Sequence, residues 1–300
     1  MRQLNLDQLR AFLSVVRHGS VNKAAIALNL TQPAITARIK KLEDALGVAL
    51  FDRSGASLKL TKRGEMLLQY AEQFERLSDR VEETIVSREG VESHLRIGVS
   101  ETIAQCWLPD LVSVLTRTYP SLVVEINVDI SVNLRAALLD REIDLAILLG
   151  PISEYSVDNV ELPGFELVWY VARSLIASDG QDATLLREWP VITYARHTRP
   201  YRELKTLLFE RIGPDVPMFP SSSLSACFRL VEAGLGVAAL PKALGDQLVA
   251  EEKIREIDPG WTPSDLRFSA SYLGDPRSHI VEAAAKMANE VAVEFLGYKN

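Results

Sequence analysis

The chain has 300 residues, 47% of them apolar and 24% charged, the profile of a globular protein of two or three domains rather than a disordered or fibrous one. Its longest apolar runs, such as Asp144 to Gly150, are strand-length and too short to cross a bilayer, and the opening MRQLNLDQLR has no leader-like apolar run, so a cytoplasmic protein without a membrane partner is predicted. Net charge is −7, which argues against a nucleic-acid partner for the chain as a whole, and two cysteines exclude a disulfide framework.

The charge is unevenly placed. Residues 1–64 hold eleven Lys/Arg against four Asp/Glu, a balance of +7, so residues 65–300 carry −14. A basic head on an acidic body is the pattern expected when only the head meets phosphate. Within the head, Leu6, Leu9, Phe12, Leu13 and Val16 recur at three- and four-residue spacing, the apolar stripe of a helix ending near Gly19. Ser20 is placed to cap a second helix, whose inner Ala24, Ala25 and Leu28 let another helix approach closely. Thr31 caps a third, with Pro33 in the first turn, where its missing N–H costs nothing. Ile35, Ile39, Leu42 and Leu46 form its buried stripe and leave Gln32, Ala34, Thr36, Arg38 and Lys40 outside. That arrangement is a helix-turn-helix.

The third helix has the chemistry for double-stranded DNA. Its start, Thr31, Gln32 and Pro33, is expected at the groove, where the Gln32 amide suits an adenine edge and Thr36 offers a hydroxyl and a methyl to thymine. Arg38, Lys40 and Lys41 suit phosphate, which sets register without reading sequence. Leu50–Arg53 runs through Ser54–Ser57 and returns along Leu58–Thr61, a small hairpin or wing with Arg53 and Lys59 in reach of the backbone or minor groove.

The stretch from Ala11 to Leu68 resembles the winged helix-turn-helix of LysR-type transcriptional regulators. The matching residues are Ala24-Ala25, Thr31-Gln32-Pro33-Ala34, Lys41-Leu42-Glu43, Leu46-Gly47, Leu50-Phe51-Asp52-Arg53 and Leu60-Thr61 followed by Gly64. At Ala37 the family commonly carries a long polar or basic residue, so one contact is missing here. The resemblance divides the chain into a DNA-binding domain over 1–61 and a linker helix over 62–90. In that helix Leu67, Tyr70, Phe74, Leu77 and Val81 keep a 3-4 spacing, the seam of a self-pairing helix, and a two-fold pair suits an inverted-repeat site. The family adds pairing of dimers into tetramers, and RNA polymerase as a partner.

Beyond His94 strands and helices alternate, which predicts an α/β body with mostly parallel pairing. Strands are expected at Leu95–Val99, Val123–Val128, Leu145–Leu149, Glu166–Ala172, Val191–Tyr194 and Val237–Leu240, with helices at Ala104–Tyr119, Asn133–Asp140 and Ser223–Ala233. The segments LRIGVSETIAQCWLPDLVSVLTRTYPSLVVEI and RLVEAGLGVAALP resemble the effector-binding domain of the same family. That implies two Rossmann-like, periplasmic-binding-protein-like lobes, 95–163 plus 268–300 and 164–267. In open sheets the crevice lies beyond the carboxyl ends of strands, which selects Ser100, Thr102 and Ser131 on one wall and Tyr194, Arg196, Ser222 and Ser223 on the other. Hydroxyls, helix-start N–H groups and an arginine suit a small anionic effector, a carboxylate. Arg196, Arg199 and Arg202 form a basic cluster in an otherwise acidic body, where they touch the effector, pair with surface acids such as Glu203 or serve a subunit interface.

Three other readings are weaker. Four dispersed histidines (His18, His94, His197, His279), with no nucleophile, metal or phosphate-loop motif, give an enzyme nothing to work with, and no cofactor or metal is expected. A thiol redox sensor on the same scaffold would need Cys106 or Cys227 to be exposed and acidic. A purely architectural DNA binder would leave the acidic body idle.

Overall fold

The computed structural model describes residues 4–52, 58–86, 94–178 and 180–297 and divides into two compact units, residues 1–91 and 92–300. In the first unit α1 (Leu6–His18) starts on Asn5, whose side chain accepts from the Asp7 N–H at 2.8 Å, and ends on Gly19 at φ +65°, a conformation glycine adopts without strain. Next come α2 (Val21–Ala27) and α3 (Gln32–Leu46). Ser20 stands at the start of α2 but makes no capping hydrogen bond, contrary to the role expected for it. Thr31 does cap α3, accepting from the Ala34 N–H at 3.4 Å. Leu9, Phe12, Leu13, Ala24, Ala25, Ile35, Ile39 and Leu42 are buried in one core, with the two alanines letting the helices close on each other.

The hairpin pairs β1 (Phe51–Asp52) with β2 (Lys59–Leu60) antiparallel, Phe51 opposite Leu60. Arg53 lies outside the described residues. Two family-like motifs acquire a physical reason here. The Glu43 carboxylate accepts from the Leu50 N–H at 2.8 Å, tying α3 to the wing. The Thr61 hydroxyl donates to the Ala49 carbonyl at 2.8 Å and accepts from the Gly64 N–H at 3.1 Å, starting α4 (Lys62–Val86). Gly64 is required because a Cβ there would run into the Leu50 carbonyl oxygen.

The second unit opens with β3 (His94–Val99), α5 (Glu101–Cys106), α6 (Leu108–Thr118), β4 (Val123–Val128), α7 (Ser131–Leu139), β5 (Leu145–Leu149) and β6 (Val157–Glu161). The single helix expected over Ala104–Tyr119 is two, broken at the buried Trp107 because Pro109 cannot donate to the carbonyl four residues back. The chain continues with β7 (Leu167–Ala172), α8 (Asp182–Glu188), β8 (Val191–Tyr194), α9 (Arg199–Arg211), β9 (Met218–Ser221), α10 (Leu224–Glu232), β10 (Ala238–Pro241), α11 (Lys242–Ala250), β11 (Ile254–Ile257), β12 (Phe268–Leu273) and α12 (His279–Phe295).

One five-stranded sheet runs β4-β3-β5-β12-β6, with β3 parallel to β4 and β5 and β12 antiparallel to β5 and β6. Residues from α6 and α12 are buried with its inner strands in one cluster, and residues from α7 in another. The other lobe pairs β7 antiparallel with both β10 and β11, and joins β8 parallel to β9. Along β7, Trp169 and Val171 enter one core while Tyr170 enters the other, the alternation of a strand covered on both faces. Pairing is therefore mixed rather than mostly parallel. The chain reaches β12 by returning from the other lobe rather than through a helical crossover, so it enters that sheet from the opposite end. The passage between the lobes is stitched by Phe165 and Leu266, which exchange two hydrogen bonds of 3.0 and 2.9 Å.

Candidate functional site

On α3, Ile35, Ile39 and Leu42 are buried, and Gln32, Pro33, Thr36, Ala37 and Lys40 are exposed. At about 100° per residue Pro33, Thr36, Ala37 and Lys40 lie within an arc of about 100° away from the buried stripe, and Gln32 stands about 40° beyond its edge, toward the stripe. Thr36 donates its hydroxyl to the Gln32 carbonyl at 3.0 Å, and a hydroxyl that donates once keeps its oxygen lone pairs as acceptors. Arg38 departs from the expected face. It is half-buried, 3.6 Å from the Asp7 carboxylate of α1, and about 160° around the helix from Lys40. Lys59 is exposed on the wing.

The apolar residues of α4 divide into two stripes. Leu67 and Ala71 pack against the core of their own head, and further along this face Ser78 accepts from Arg10 at 3.2 Å and Glu75 pairs with Arg17. Leu67 therefore serves the head rather than the expected seam. Tyr70, Phe74, Leu77 and Val81 are 59, 41, 53 and 53% exposed, and with Met66 they lie within an arc of about 80°. Such a contiguous apolar stripe on an otherwise polar helix marks a contact surface.

Between the lobes of the second unit lies a cavity of about 310 Å³. Ser100, Thr102, Ser131, Tyr194, Ser222 and Ser223 all line it. They arrive there because β3, β8 and β9 end at this level and α5, α7, α9 and α10 begin there. The Ser131 hydroxyl accepts from the Leu149 N–H at 3.1 Å and stands 3.5 Å from the Ser100 hydroxyl, so both are held by the sheet ends. Tyr194 has a hydroxyl that is buried and has no partner among the described residues, and burial raises its pKa far above the usual value.

Arg196 does not line the cavity and is exposed. The residue from that loop that does is Thr198, whose hydroxyl donates to the Ala195 carbonyl at 2.7 Å and caps α9 through the Tyr201 N–H. The signal was present in Thr198-Arg199-Pro200, which repeats the cap-and-proline start of Thr31-Gln32-Pro33. Glu203, an acid expected among the alternative partners of the arginines, accepts from the Ser264 N–H at 2.9 Å.

Among the described residues two acids line the cavity, Glu101 and Asp129, and no lysine or arginine does. The Asp129 carboxylate accepts from the Ile130 N–H at 2.7 Å and from the Asn133 amide at 2.9 Å. Glu101, on the first turn of α5, reaches across to the start of α10 and accepts from the Leu224 N–H, the Ser225 N–H at 2.9 Å and the Ser225 and Ser223 hydroxyls. Burial raises its pKa, but the hydrogen bonds from Ser225, Leu224 and Ser223 outweigh this and hold the carboxyl below its ordinary value. A small carboxylate held by Arg196 therefore has no cation in this cavity, and the helix start best placed for it is already filled.

Burial pushes the Cys106 thiol up to about 12 and the Cys227 thiol to about 11, so both are held protonated. Among the described residues no His/Cys/Asp/Glu group is arranged to hold a metal ion, and no helix is long and apolar enough to cross a membrane.

Residues 6–65 match the family model for the bacterial regulatory helix-turn-helix protein, lysR family, and residues 88–292 match that for the LysR substrate binding domain. The transcriptional regulator YofA of Bacillus subtilis is 32% identical over 262 residues, spanning 87% of this chain and 90% of its own. The transcriptional activator AmpR of Rhodobacter capsulatus is 31% identical, over 84% of this chain and 85% of its own. Among solved structures, full-length CbnR complexed with its target DNA aligns with a TM-score of 0.70 at 21% identity, covering 96% of this chain and all (100%) of that one. The chain thus belongs to the LysR family: it is a DNA-binding transcriptional regulator with a winged helix-turn-helix, a long linker helix and a two-lobed effector-binding domain.

Proposed function

We propose that this regulator binds an inverted-repeat promoter site as a pair of chains joined through the exposed stripe of α4, and that a small polar molecule in the cleft between its lobes sets its activity. Gln32 and Thr36 read base edges, and Thr31, Pro33, Lys40, Arg53 and Lys59 position the backbone. Further pairing into tetramers and contact with RNA polymerase follow from the family, and no catalytic step is assigned to the chain. The observation that carries the effector reading is the 310 Å³ cavity, of a size for a small metabolite, walled by hydroxyls from both lobes.

A ligand touching both lobes favours one lobe arrangement by its differential affinity for it, and about 1–3 kcal/mol of such coupling is enough to regulate. The lining favours an uncharged or amine-bearing molecule over the carboxylate expected from the sequence, because its fixed charges are Glu101 and Asp129. The test is a thermal-shift screen of small polar metabolites, followed by promoter footprinting with each hit. A compound that stabilises the protein, loses that effect when Ser131 and Tyr194 are replaced, and changes the footprint supports the reading. Hits indifferent to both replacements refute it.

A further inference from the structure

Glu101 belongs to one lobe and its hydrogen-bond donors to the other. Its carboxylate is the anion at the start of α10, a nine-residue helix, where two backbone N–H groups and two serine hydroxyls converge on it. Gln105, one turn further along α5, reinforces the bridge by donating to Glu101 at 3.0 Å and to the Ser225 hydroxyl at 3.0 Å. Helix starts favour a negative charge because their first N–H groups have no partner within the helix and the aligned peptide dipoles add positive potential there. Glu101, Ser223 and Leu224 line the cavity between the lobes, while Gln105 and Ser225 stand at its exposed edge. Tyr194 lies beside Ser221 in the parallel β8–β9 register and lines the same cavity, with its hydroxyl buried and unpartnered among the described residues.

We propose that Glu101 is a tethered carboxylate ligand, which occupies an anion site at the start of α10 and latches the two lobes across the cleft. The site takes carboxylates as a class, through two N–H and two O–H donors and without a side-chain cation. Filled from within the chain, it is closed to small-molecule carboxylates, and the remaining cavity selects other chemistry. Only this last consequence rests on the cleft being the effector site. The latch itself is tested without any effector.

The experiment uses the full chain and its Glu101→Ala variant, with sodium acetate as the probe and sodium chloride and acetamide as controls at matched concentration. E101A is expected to melt below the unmodified protein, to be raised by acetate, and to be indifferent to acetamide and to chloride. Its acetate midpoint should lie at least about tenfold below any response of the unmodified protein, whose site is already filled. Equal acetate responses in the two proteins, or none in E101A, overturn the proposal. If E101A does not fold, Glu101→Ser, which keeps a small polar residue on the first turn, takes its place under the same criteria. An effector response left unchanged in E101A, with acetate rescue intact, would count against the function proposed above and leave the latch standing.

Discussion

Phe74 offers the most direct measure of what covers α4. Its side chain leaves 41% of its surface in water and is absent from the head core, so shortening it leaves the fold of the head alone. Burying a whole phenylalanine contributes about 1.5–3 kcal/mol, so covering the fraction still exposed contributes about 1 kcal/mol per chain. In a two-fold pair the residue enters twice, which makes about 2 kcal/mol, or about 30-fold in the dissociation constant. Phe74→Ala should therefore weaken self-association about 30-fold with its melting temperature at monomer concentrations unchanged. Phe74→Asp should weaken it further by placing an unpaired charge in the seam. Sedimentation velocity over a dilution series reads both. A dissociation constant for Phe74→Ala within about twofold of the unmodified value would refute the assignment, since a stripe facing a second copy cannot lose one of its two aromatic side chains without effect.

Other outcomes follow from the same reasoning. Gln32→Ala should relax preference at one base pair at about 1–3 kcal/mol, whereas Lys40→Ala should weaken all sequences alike and flatten the salt dependence; footprints on specific and random DNA separate them. Arg38→Ala should affect DNA affinity less than Lys40→Ala because its guanidinium is turned toward Asp7, and equal losses would contradict that placement. Gly64→Ala should destabilise the head by about 1–3 kcal/mol through the clash with the Leu50 carbonyl, seen as an earlier thermal transition. Glu101 has a folded pKa below its usual 4.5, so its contribution is complete above that value and is lost as pH falls through the folded pKa. Melting temperature should accordingly fall more steeply with acidification in the unmodified protein than in Glu101→Gln, and parallel curves would sink the idea.

Much of the head was legible in the sequence because its signals are local. Thr31, Pro33 and the Ile35–Ile39–Leu42 stripe act within a few turns of one helix, so spacing and capping chemistry are enough to orient it. The basic excess over residues 1–64 is likewise a count that needs no coordinates. Strand ends and helix starts also marked Ser100, Ser131 and Ser223 as neighbours of a crevice, since that rule depends on element order alone. Where a side chain points was not available in this way. Leu67 and Phe74 share one heptad pattern, yet one closes the head core and the other faces water, because α1 packs along only one side of α4. Arg196 and Thr198 stand two residues apart, and the loop into α9 turns only the second toward the cavity. Glu101 reads in isolation as an ordinary first-turn acid. Its partners at Ser223 to Ser225 are supplied by another lobe, and a contact between residues more than a hundred positions apart is created only when the chain has folded.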